Sequence, residues 1–221
     1  MFESDYILRM FSMLGRALAR IMFFRETKNY DAALLEVDNT GLSLLGLNMD
    51  TIERLPVADL KNVLGSDPSL VQSRLYTAGV LLKQKGELLE LKDEGADGAG
   101  LYLKALRLMT DEVKGLEEID GQKGIANVDA VIENLKDYEL PTDVKLRLID
   151  YFDYSGRFDK AEDIIFEVVE DSPSFAGEGV SYYERLLKKS DSELETGHLP
   201  RAEVEEALRE LQQIKQWQDK A

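Results

Sequence analysis

The stretch Pro141–Pro173, PTDVKLRLIDYFDYSGRFDKAEDIIFEVVEDSP, decides the fold. Apolar residues recur three and four apart on both sides of Gly156, the spacing of helices that each bury one face. Reversing the chain between two such helices needs a residue at ease with positive φ, which Gly156 supplies. Their crossing needs a small side chain, which Ala161 supplies, and Pro173 prevents the second helix from continuing. The stretch therefore predicts one helical hairpin.

Working outward, the same periodicity covers most of the chain. From Asp5 to Arg25, the residues Ile7, Met10, Phe11, Leu14, Leu18, Ile21 and Met22 predict a helix. Phe23 and Phe24 widen its apolar face, so it is expected to pack on more than one side. Tyr30-Asp-Ala-Ala then repeats the start Phe158-Asp-Lys-Ala, an aromatic residue with a small one three positions later. Between Gly46 and Pro68, Asp50 with Glu53 has the spacing of a capping box and Pro56 interrupts, which predicts two short connecting helices. From Ser69 the pattern strengthens, with Gly79 as the expected crossing and Gly86 as the expected helix end. An insertion around Lys92 to Gly98 then leads into LYLKALRL with Tyr102, Ala105 and Leu106.

Asn127 is placed to cap a helix through Leu135, after a loose acidic loop marked by Gly115, Gly121 and Gly124. Beyond Pro173, GEGVSYYERLLKK is helical, Ser190 with Glu193 reads as a capping box, and Gly197 breaks the chain. Pro200 then opens a last helix through Ala202, Val204, Leu208, Leu211 and Ile214. No stretch sustains strand alternation, so the fold class is all-α.

Leu148, Phe152, Gly156, Phe158, Ala161, Ile165 and Pro173 resemble the signature of the tetratricopeptide repeat, a unit of about 34 residues. Ile149 and Val168 depart from it, standing where smaller residues are usual. Weaker units cover Leu14–Leu45 and Ser69–Met109. The resemblance implies antiparallel helical hairpins stacked as a right-handed superhelix. It would form one domain over 1–221: an N-terminal hairpin (1–45), connecting helices (46–68), a central hairpin with an insertion (69–140), the best unit (141–173) and capping helices (174–221). The whole chain, including the opening MFESDYILRM, also resembles an uncharacterised bacterial family of helical repeat-like proteins, a likeness that brings no activity with it.

Chemistry is thinly supplied. The chain has no cysteine and one histidine, His198, which lies between a helix break and a helix start. No helix carries the Glu-x-x-His spacing of carboxylate-bridged metal sites. The acidic clusters Asp93-Glu94-Asp97 and Glu117-Glu118-Asp120 lack the spacing of a calcium loop. GxxGxA near Gly121 follows no strand and is not a phosphate loop. The reading is therefore of a non-enzyme with no cofactor and no catalytic or metal-binding residue.

A formal net charge of −16 over 221 residues argues against a nucleic-acid partner, since phosphate binding draws on clustered Lys and Arg. No apolar run approaches the ~20 residues of a membrane span. Glu3 and Asp5 at the start, with Arg9, Arg16 and Arg20 in the apolar stretch, do not fit an export signal, so a cytoplasmic location is expected. Residues 1–30 are net +2 within this acidic chain, and Gly15, Ala17 and Ala19 suit packing on the protein's own body rather than on a membrane surface.

In a stacked repeat array the first helix of each hairpin lines the concave side. The expected partner-binding residues are Met22, Tyr76 and Val80 in the earlier units and Asp143, Leu146, Asp150, Asp153 and Tyr154 in the best one. Carboxylates at that spacing share a helix face and would favour a basic peptide, with Leu146 and Tyr154 adding apolar contact. Leu146 and Asp150 stand where the repeat family's carboxylate clamp has Lys and Asn, so a partner's C-terminal carboxylate is not the expected ligand. The functional expectation is a protein-binding adaptor. A self-associating structural protein, a homo-oligomer without a separate ligand, is second. A carboxylate-metal hydrolase is third.

Overall fold

The computed structural model describes residues 2–93, 96–110, 115 and 122–218. All regular structure among these residues is helical: α1 (Phe2–Glu26), α2 (Tyr30–Leu45), α3 (Met49–Arg54), α4 (Val57–Leu64), α5 (Pro68–Lys92), α6 (Ala99–Thr110), α7 (Gln122–Asn134), α8 (Thr142–Tyr154), α9 (Phe158–Asp171), a 3-10 turn (Pro173–Phe175), α10 (Ala176–Leu186), α11 (Asp191–Thr196) and α12 (Arg201–Gln218). By its contacts the chain divides into two compact units, Met1–Glu139 and Leu140–Ala221.

Helix starts are set by local chemistry. Asn29, Asn48 and Asp67 each accept a hydrogen bond from the backbone N–H three residues on, satisfying a donor that has no partner inside the helix. Asn48 thus begins α3, where the sequence suggested Asp50. Pro68 follows Asp67 as the first residue of α5, a position where its missing N–H costs nothing. Ser190 and Glu193 do form the expected capping box, with the Glu193 N–H donating to the Ser190 hydroxyl at 3.3 Å and the Ser190 N–H to the Glu193 carboxylate at 2.9 Å. The Ser190 hydroxyl, which also donates to that carboxylate at 2.6 Å, and then the Ser190 N–H hold the Glu193 carboxyl below its ordinary range.

In Met1–Glu139, α5 is the axis. It packs against α1, α2, α3, α4 and α6 and buries residues around its whole circumference, from Leu75 and Tyr76 through Ala78, Val80, Leu81 and Leu82 to Leu88. Gly86 does not end this helix, which runs six residues further. A Cβ at Gly86 would sit 2.6 Å from the Tyr102 ring, and one at Gly79 would sit 2.4 Å from Met109 Cγ. These glycines exist so that α6 can lie close against α5. The Tyr102 hydroxyl donates to Glu90 at 2.7 Å, and burial followed by that bond raises its pKa. Asn127 lies inside α7 instead of capping it, and donates through Nδ2 to the buried Tyr76 hydroxyl at 2.7 Å. A buried tyrosine needs a partner for its oxygen, and that requirement places Asn127.

The α1 helix packs on α2 and α5 and buries a single stripe, Met10, Leu14, Ala17 and Ile21. Its opposite side leaves Leu8 67%, Met22 60% and Phe23 60% exposed, so its apolar excess is not all used in the core.

In Leu140–Ala221 the hairpin α8–α9 turns at Ser155-Gly156-Arg157. Gly156 takes φ +69°, and nothing lies within 4 Å of where a Cβ would stand, so glycine is needed for its backbone alone. The Arg157 guanidinium lies 4.9 Å from the ring centroids of both Tyr151 and Phe152, covering the end of the hairpin. Ala161 is fully buried. No side chain caps α9; instead the Gly197 carbonyl accepts from the N–H groups of Phe158 and Asp159 at 3.0 and 3.2 Å. A Cβ at Gly197 would meet the Phe158 ring at 2.2 Å. Gly197 is therefore a docking point for the start of α9 and more than a helix break. The apolar stripe of α12 is Val204, Ala207 and Leu211, while Ala202 is exposed.

Candidate functional site

Placed in the structure, the expected partner-binding residues fall into three groups. Asp143, Leu146, Asp150 and Tyr154 reach the surface of α8, with Leu146 and Tyr154 each 37% exposed, and Asp153 is half-buried beside them. Met22 is exposed on α1, in the other unit. Tyr76 and Val80 are 1% exposed in the core of Met1–Glu139, so neither lines a groove. Helical periodicity marks a residue as facing out of its own hairpin, but α5 is packed on all sides and has no such outer face.

The α8 face is held by its inner one. Val144, Leu148, Tyr151 and Phe152 are buried, which fixes Asp143, Leu146 and Asp150 outward at i, i+3 and i+7. Asp153 pairs with Arg185 of α10 at 3.2 Å, and Arg185 also lies 5.2 Å from the Tyr182 ring centroid. At the hairpin's side, Lys145 of α8 reaches across to Glu167 at 3.2 Å and Asp171 at 3.1 Å on α9. Burial pulls the Lys145 pKa down, but the bonds to Asp171 and Glu167 outweigh it and the net direction is up.

A second surface lies on the other helix of the hairpin. Gly179 of α10 sits where a Cβ would meet Leu211 of α12 at 2.5 Å and Ile165 of α9 at 3.3 Å, so α10 packs tightly behind both helices. In front, α9 and α12 bound a groove of about 970 Å³, with Pro173 also in its lining. Phe166 and Val169 of α9 and Ile214 of α12 give it an apolar floor, and Glu162, Asp163, Glu167, Glu170 and Glu210 edge it. It continues past Pro173 and Ile214 into a recess of about 450 Å³ beside Gln213, Trp217 and Gln218.

Glu162 is the most perturbed acid of this groove. Burial pushes its carboxyl up, the hydrogen bond from the Tyr183 hydroxyl at 3.1 Å pulls it down, and Glu203, Asp163 and Asp159 add repulsion; it ends at about 7. Sequence reading missed this groove because the residues that line it from α9 and α12 are 40 or more positions apart in the chain. The available signal was the second acidic face of the hairpin, DKAEDIIFEVVED, carrying Glu162, Asp163, Glu167 and Glu170.

The remaining candidates are placed as follows. His198 is exposed, at φ +59° in the turn before α12. Asp97 accepts from the Ala99 N–H at 2.8 Å and the Tyr138 hydroxyl at 3.1 Å. Glu94, Glu117, Glu118, Asp120 and Gly121 lie outside the described residues. No helix among the described residues is long and apolar enough to cross a membrane.

Against this geometry, comparison with known families gives one match, to the family described as "Family of unknown function (DUF6483)", over residues 1–216. The chain belongs to that family. Neither the curated proteins nor the solved structures give a match.

Proposed function

We propose that this member of the DUF6483 family is a protein-binding adaptor that receives a basic peptide segment. The observation that carries the reading is the α8 face, where Asp143 and Asp150 flank Leu146 and leave it exposed. An apolar side chain between carboxylates offers a contact surface and a charge preference together. The α8–α9 hairpin, with Gly156 in its turn and Ala161 at its crossing, supports a tetratricopeptide-like packing for the unit Leu140–Ala221.

Affinity capture from the source cell's lysate, read by mass spectrometry at low and moderate salt, tests this. Wild type should retain a partner with a Lys- or Arg-rich segment. Asp143→Lys/Asp150→Lys should lose it, and the binding should weaken with salt because exposed charges are screened. A partner retained equally by both proteins removes the α8 face from the reading.

A second reading, self-association, is favoured by one observation, the exposure of Leu8, Met22 and Phe23 on α1. Large exposed apolar side chains are not needed by an isolated fold, and where they join into a patch they mark a contact site. Sedimentation showing a monomer at tens of micromolar disposes of it.

A further inference from the structure

We infer that the groove between α9 and α12 docks an amphipathic helix with basic flanks, supplied by a partner protein. This surface is separate from the α8 face and stands or falls independently of it. Three features of the groove select that occupant. Both its walls are helices, and no strand edge exists among the described residues, so an extended peptide would find no backbone ladder to join. A helix laid between two helices needs only side-chain contacts, made by apolar anchors at i, i+3 or i+4, and i+7.

The floor supplies matching contacts. Phe166 and Val169 lie one helical turn apart on α9, opposite Ile214 on α12. The wall formed by α9 has 14 residues and is therefore about 21 Å long, room for roughly four turns of a guest helix.

The rim sets the charge. Of its five carboxylates, Asp163 is paired with Lys160 at 3.4 Å and Glu167 with Lys145 at 3.2 Å, which leaves the edge net acidic. Glu170 from α9 and Glu210 from α12 are both exposed and face the groove from its two sides, where lysines flanking an apolar stripe would meet them. At the open end Trp217 is 78% exposed, a large ring that the fold leaves in water. Tryptophan is among the residue types that most often anchor interfaces.

Trp217 is the chain's only tryptophan, so its emission reports on the groove without a label. The probe is a synthetic helix of about four turns with a leucine stripe flanked by lysines, titrated into the full chain. The expected result is a saturable blue shift. It should weaken about tenfold or more in Glu170→Lys/Glu210→Lys, whose altered side chains are exposed, and stay unchanged in Glu184→Lys/Glu195→Lys, a charge-matched exposed pair outside the groove lining. A scrambled peptide of the same composition should bind about tenfold more weakly, and one with glutamates for the lysines should not bind. Equal binding of the scrambled peptide would mean that charge alone is read and would overturn the groove assignment. A blue shift that grows with protein concentration in the absence of peptide would make a second copy the occupant and overturn the partner-protein assignment. Absence of binding in both fluorescence and calorimetry also overturns it, while capture through the α8 face remains a separate result.

Discussion

Two hairpins, α5–α6 in one unit and α8–α9 in the other, use glycine for opposite reasons. Gly156 has open space where a side chain would go and takes φ +69°, so its value lies in backbone freedom. Gly79 and Gly86 sit in ordinary helix, and their value is the missing Cβ, whose place Met109 and Tyr102 occupy. The lesson is that a glycine inside an apolar helical pattern marks close approach as readily as it marks an end. One kind of glycine shapes a turn that any neighbour can tolerate, while the other depends on a particular partner helix.

The sharpest way to break this comparison is Gly86→Leu. The added side chain runs into the buried Tyr102 ring, and a cost of about 3 kcal/mol or more is expected in urea unfolding, with loss of folding as the extreme result. A cost under about 1 kcal/mol would show that α5 and α6 are not held as close as described. Next comes Ala161→Leu at the crossing of α8 and α9, expected to cost about 1–3 kcal/mol, against little for the exposed Lys160→Ala. Gly156→Ala should cost only about 1 kcal/mol, the left-handed penalty without a clash. If Gly156→Ala proves as damaging as Gly86→Leu, the distinction between backbone freedom and close approach fails.

The smallest effect belongs to pH and sharpens the comparison on the side of the second unit. Glu162 ionises near pH 7 when folded, against about 4.3 in an unfolded chain. Between those values the folded state keeps a proton that the unfolded state has lost, so stability falls as pH rises toward and through 7. The contribution is full below about pH 4, and solvent screening limits it to about 1 kcal/mol. Urea midpoints from pH 5 to 8 should decline in wild type by that amount beyond the decline in Glu162→Gln. Parallel profiles for the two proteins would mean that Glu162 is not burdened by its burial.

Much of the local structure was legible because it depends on neighbours in the chain. The turn at Gly156, the capping box at Ser190, the buried Ala161 and the outward Asp143, Leu146 and Asp150 follow from spacing alone. Asn127, Tyr76 and Val80 did not. Asn127 has the residue type of a cap but serves a tyrosine hydroxyl 51 positions away, and Tyr76 and Val80 have the periodicity of an exposed face on a helix that is enclosed. Gly197, read as a break, supplies the carbonyl that caps α9.

By itself, then, the sequence determined an all-helical chain, most of its helix ends, its acidity and its lack of cysteine. These are properties of composition and of contacts within one or two turns, where the 3.6-residue period and hydrogen-bond geometry leave few choices. Only the tertiary structure decided which apolar faces are enclosed, which glycines admit another helix, and that α9 and α12 border a common groove. Those outcomes depend on which distant side chains fill a given space, and close packing makes that a property of the assembled unit rather than of any segment in it.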